Sequence, residues 1–153
     1  MRTRDIIVSA LAIVVVIVAC KKTTYNTKPT ITLKEVSTTE VIPAQPLDHT
    51  PPLVITLEYT DAEGDLAGGR VGVQKIVPNC PSCEFIDTLS YTISDNLPRT
   101  KNQKALLDVV LPYISINPIC NFNDSAEFKV WITDQGGNVS DTVNTGLIVI
   151  RKP

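Results

Sequence analysis

The chain has 153 residues, with 14 basic against 16 acidic side chains and a formal net charge of −2. A mildly acidic chain lacks the electrostatic footprint that nucleic-acid binding requires. The length suits one domain with a sizeable core, and β-branched residues dominate its apolar set, which favours strands over helices.

The first feature along the chain is an apolar run over residues 6–20, broken only by Ser9 and preceded by Arg2 and Arg4. A membrane-spanning helix needs about 20 predominantly apolar residues. This run is shorter, and with its basic lead-in it fits the apolar region of a secretory signal. Its end, Ile17-Val18-Ala19-Cys20, resembles a bacterial lipobox. That chemistry needs a thiol to take a diacylglyceryl group in thioether linkage and a small residue before it for the signal peptidase. Ala19 and Cys20 meet both needs, although Val18 is less usual there than Ala or Ser. The other reading is a short anchor helix with an incidental cysteine. On the lipobox reading, residues 1–19 are a signal peptide and Cys20 is lipidated. Each buried methylene then contributes about 0.8 kcal/mol, enough for several chains to hold the protein to a membrane.

Residues 20–29 are expected to be a flexible tether, because KKTTYNTKP (21–29) is polar and without periodicity. The domain proper is expected over 30–153. TITLKEV (30–36) reads as a first strand with Ile31 and Leu33 inward. The segment 37–52 holds Pro43, Pro46, Pro51 and Pro52 and reads as a long loop or irregular edge. LVITLEYT (53–60) is the clearest strand, with Leu53, Ile55, Leu57 and Tyr59 on one face. The acidic turn 61–69 follows, then RVGVQKIV (70–77), alternating through Val71 and Val73. After the turn PNCPSC (78–83), EFIDTLSYTI (84–93) places Phe85, Leu89, Tyr91 and Ile93 in phase.

Residues 94–102 are loop. KALLDVVL (104–111) sets Leu107, Val109 and Leu111 on one face, and 112–125 is a second long connection. AEFKVWITD (126–134) buries Phe128, Val130 and Ile132, QGGN (135–138) turns, and residues 139–150 close the sheet. Trp131 is out of phase with its neighbours and is expected to face outward or to pack under a loop. About seven short strands separated by turn signals describe an all-β, immunoglobulin-like antiparallel β-sandwich. A jelly roll or small barrel is the alternative.

The segments YTDAEGDL (59–66) and FKVWITDQGGNVSDTVNT (128–145) resemble those of uncharacterised lipoproteins of the Bacteroidota type. In that family a lipobox precedes an Ig-like domain with a TD-x-(D/E)-GD loop early and a TD-x-x-G-N-x-S-(D/N)-T-V stretch late. The similarity covers nearly the whole mature chain and implies an architecture and a cell-envelope address, without an activity. Surface-exported members often carry acidic residues directly after the lipidated cysteine. Lys21, Lys22, Thr23 and Thr24 stand there instead, so the expected place is the outer membrane with the domain in the periplasm.

Several residues have types and spacing that suit chemistry. Asp61, Glu63 and Asp65 alternate on a tight loop, one way to converge the six to eight oxygens that Ca²⁺ takes. In an Ig-like sandwich the loop after the second strand and the last hairpin share an end, which brings Asp134 and Asn138 close. A plain solvated turn is the competing reading. Cys80 and Cys83 form a C-x-x-C, but a thiol oxidoreductase needs its first thiol at a helix N-terminus, and an alternating strand follows here. Outside the cytoplasm a disulfide is expected, with Cys120 able to reach Cys80 or Cys83. His49 is predicted at that same end, so a Cys₃His zinc site is geometrically conceivable.

The expected function is a non-catalytic envelope lipoprotein that binds or scaffolds another envelope component. The alternative is a thiol oxidoreductase or metal-dependent enzyme built on the CPSC turn. The tether is expected to leave from the end carrying loop 61–69. Loops 37–52 and 112–125 then lie at the opposite end, where a protein partner would be met.

Overall fold

The computed structural model describes residues 25–78, 80 and 88–153. The lipobox with Cys20, the residue Cys83 and the beginning of the predicted strand 84–93 lie outside the described residues.

Among the described residues, eight strands form two sheets. They are β1 (Thr30–Val36), β2 (Glu40–Val41), β3 (Leu53–Asp61), β4 (Arg70–Ile76), β5 (Thr88–Thr92), β6 (Gln103–Leu111), β7 (Asp124–Thr133) and β8 (Val143–Ile150). The smaller sheet has the order β1-β3-β6 and the larger one β2-β8-β7-β4-β5. All pairings are antiparallel except the two-residue β2, which runs parallel to the end of β8. A 3₁₀ turn (Leu47–His49) and one short helix, α1 (Tyr113–Ile116), sit in the two long connections.

Alternation explains most of this. Leu53, Ile55, Leu57 and Tyr59 of β3 are all inaccessible, and so are Phe128, Val130 and Ile132 of β7. The two inward faces share one core that also takes Val71, Val73, Leu111, Ile148 and Ile150. Burying each such side chain contributes roughly 1.5–3 kcal/mol. In β1 the inward residues are Ile31, Leu33 and then Val36. The step of three rather than two is absorbed by a bulge, where the register to β3 shifts between Leu33 and Glu35.

The architecture is the expected β-sandwich, with four refinements. β5, the described part of the predicted strand 84–93, pairs with β4 in the larger sheet, whereas the constant-type immunoglobulin arrangement would set it beside β6. The last strand starts at Val143, after a single bridge between Thr133 and Val139. The connection 112–125 contains α1. Trp131 lies on the outer face of the larger sheet, over Gly72 of the neighbouring strand. A Cβ at Gly72 would overlap the indole, so the glycine is what lets the ring lie flat on the sheet.

Residues 25–29 enter β1 from the end that carries loop 61–69. The Tyr25 amide donates to Asn102 Oδ1 at 3.1 Å, the Asn102 amide donates to the Ala62 carbonyl at 2.9 Å, and Lys28 pairs with Asp141.

Candidate functional site

The acidic loop is folded around Asp61. This residue ends β3 on the inward phase and is fully buried. Its carboxylate accepts the amides of Glu63 at 3.2 Å and Asp65 at 3.0 Å. Gly64 between them takes φ +75°, and any side chain there would collide with the Thr100 backbone. Ligand atoms of Asp61, Glu63 and Asp65 lie within 4.8 Å of one another.

The last hairpin docks onto this loop. The Gln135 amide donates to the Asp65 carbonyl at 3.1 Å. Asp134 is buried, and its two oxygens accept the Asn138 amide at 2.8 Å and Asn138 Nδ2 at 3.0 Å. Asp65 Oδ2 and Asp134 Oδ1 both approach Gly136, each 3.3 Å from where a Cβ would stand. Asp61, Glu63 and Asp65 therefore converge, and Asp134 comes near Asp65 from the hairpin without joining their ligand set. Asn138 belongs to the cluster in a different role, since its amide group holds Asp134 in place.

The electrostatics of the cluster are unbalanced. Burial, then the neighbouring charges of Asp134 and Asp61, push the Asp65 carboxyl above the usual carboxylate range. Asp65 Oδ1 is buried without a hydrogen-bond partner among the described residues. Converging carboxylates with an unsatisfied oxygen fit a hard cation that takes oxygen ligands. Tyr59 stands two residues before Asp61 on the same face, and its hydroxyl pKa is raised by burial and by the Asp61 charge.

At the opposite end the connection 112–125 is braced to the segment that follows β4. Cys80 and Cys120 form a disulfide across a sequence separation of 40 residues. Closing a loop of that size removes roughly 4 kcal/mol of unfolded-state freedom in the chain-entropy view. Cys80 is thus joined to the 112–125 connection and not to Cys83 in a closed C-x-x-C. His49 lies exposed in the 3₁₀ turn.

A second brace was not anticipated from the sequence. Lys75 continues the inward phase of Val71 and Val73, and it is buried. Its Nζ donates to Asp124 Oδ2 at 2.6 Å and to the carbonyls of Ile116 and Asn117 at 2.9 Å each. The same Asp124 oxygen accepts the Ile119 amide at 3.0 Å. A lysine on the buried phase of a strand is the signal that was legible, because a buried charge has to be paired.

The braced loops expose apolar side chains. Ile42 and Leu47 project from 37–52, and Ile114, Ile119 and Phe122 from 112–125, with Ile114 at 75% and Phe122 at 50% exposure. A cleft of about 160 Å³ between the two connections is lined by Leu47, Asp48, Thr50, Pro112, Tyr113 and Ile114. No family model matches the chain, and no curated protein or solved structure shows significant similarity to it.

Proposed function

We propose that this chain is a non-catalytic, lipid-anchored module of the cell envelope whose loops 37–52 and 112–125 bind another envelope component. The observation that supports it is the pairing of exposure with rigidity at one end. Five large apolar side chains face solvent there, three of them on the connection 112–125, which the Cys80–Cys120 bridge and buried Lys75 hold, and two on 37–52, which β2 ties to β8. Apolar residues on braced loops are what a recognition surface needs, since little ordering entropy is lost on binding. The lipobox sequence supplies the anchor, and among the described residues no helix is long and apolar enough to cross a membrane. Lys21 and Lys22 after Cys20 favour the periplasmic face of the outer membrane.

The acidic cluster at the tether end takes Ca²⁺ in this reading, as a structural ion. Asp61, Glu63 and Asp65 would hold it, with the charge of Asp134 beside them on the hairpin. The ion would neutralise charges that otherwise repel and would lock the loop beside the tether.

The test is site-specific photo-crosslinking in the native cells. A crosslinker at Asn117 or Phe122 is expected to capture one defined envelope protein, while one at Ala67 or Gln135 captures none. Capture from Ala67 and Gln135 alone would place the working surface at the wrong end.

A further inference from the structure

The four sheet edges are unequal. β2 has two residues, β1 carries a bulge, and β5 shows five residues among those described. Short or bulged edges resist pairing with other chains. β6 has no such protection. It runs nine residues without proline, in unbroken register with β3 from Leu53↔Leu111 to Asp61↔Gln103. Among the described residues no strand pairs with its other edge. Its outward face shows Leu106 at 60% and Val110 at 50% exposure.

We propose that β6 is a self-association edge, at which two copies of this chain pair antiparallel about a two-fold axis through Leu106. The charges select this partner and this register. With the axis at Leu106, Leu106 faces its own symmetry mate and Lys104 faces Asp108 of the second copy, twice by symmetry. Moving the axis to Leu107 sets Lys104 against Val110 and Leu106 against Asp108. Moving it to Ala105 sets Lys104 against Leu106. Only the Leu106 axis matches apolar with apolar and plus with minus on the outward face, where cross-strand pairs act.

The row across the smaller sheet points the same way. Glu58 is shared by Lys34 and Lys104, each at 3.1 Å, so these three side chains carry one excess positive charge beside the free edge, while Asp108 on the same face accepts the Thr56 hydroxyl at 2.7 Å. Asp108 of the second copy continues the row as Lys34, Glu58, Lys104, Asp108. On the inward side, a groove of about 240 Å³ runs between β6 and β5, lined in part by Val71, Tyr91, Leu107 and Val109. The paired strand brings its own Ala105 and Leu107 over that groove. Because the chains run in opposite directions, the two N-terminal segments leave from opposite ends of the pair, and the loops 37–52 and 112–125 of each copy lie beside the tether end of the other.

The test uses the full lipidated chain in its native membranes, in a Cys83→Ser background. Leu106→Cys with a short thiol crosslinker is expected to give a homodimer, and Thr32→Cys on the outward face of β1 is not. Adding Asp108→Lys should lower the dimer yield about tenfold, and Lys104→Asp with Asp108→Lys should restore it. In detergent, the wild-type chain should sediment as a dimer whose dissociation constant rises at least tenfold in Asp108→Lys, and Thr56→Val, which frees Asp108 from its hydrogen bond within the chain, should leave that constant unchanged. Equal yields from Leu106→Cys and Thr32→Cys, or yields indifferent to Asp108→Lys, would overturn the proposal. So would an adduct of a mass other than twice the chain, which would mean that a different protein covers this edge.

Discussion

Asp65 is the residue on which the acidic end turns. Its carboxyl is held above the usual range by burial and by Asp134 and Asp61, so the folded state binds its proton more tightly than the unfolded state does. Without a cation, the stability this group contributes is complete below its ordinary pKa and is lost as pH rises through the raised folded value. In chelator, wild type should therefore lose melting temperature relative to Asp65→Asn as pH goes from about 4 to 7. At neutral pH the variant is expected to melt a few degrees higher. Millimolar Ca²⁺ should reverse the order by raising wild type alone, because a ligand of the folded state stabilises it by mass action. Identical wild-type melting curves in chelator and Ca²⁺ would leave the loop as a turn and no more.

Among the elements, the connection 112–125 depends on Lys75. Lys75→Met strands the Asp124 carboxylate in the core, and breaking a buried pair in this way costs about 3–5 kcal/mol. Lys75→Met with Asp124→Leu should recover most of that in denaturant unfolding, since the pair is then replaced by apolar packing. Equal losses in the single and double variants would mean that the two carbonyl contacts of Lys75, and not the ion pair, hold the connection. The elements themselves were largely legible. Strands such as β3 and β7 alternate without a fault, because each has one face in the core. Less legible was anything decided between strands. Leu89 and Tyr91 alternate equally well beside β4 or beside β6, so periodicity does not choose the sheet to which β5 belongs. Cys120 could reach either Cys80 or Cys83 by topology, and only the fold selects Cys80. At the acidic end, the spacing of Asp61, Glu63 and Asp65 announced the cluster. The orientation of the Asn138 amide toward Asp134 depends on hairpin geometry that no sequence spacing expresses.

At the scale of the whole molecule, the two ends of the sandwich differ in what they gather. The tether, the acidic cluster and the last hairpin meet at one end. The disulfide, the buried lysine and the exposed apolar loops gather at the other. This polarity has functional meaning only if the chain is hung from a membrane through Cys20. Intact-mass spectrometry of the protein purified from its native envelope tests that most directly. The predicted result is a chain that begins at Cys20 and carries the added mass of a diacylglyceryl group, with or without a further acyl chain. A chain that keeps residues 1–19, or one that starts beyond Cys20 without lipid, would contradict it.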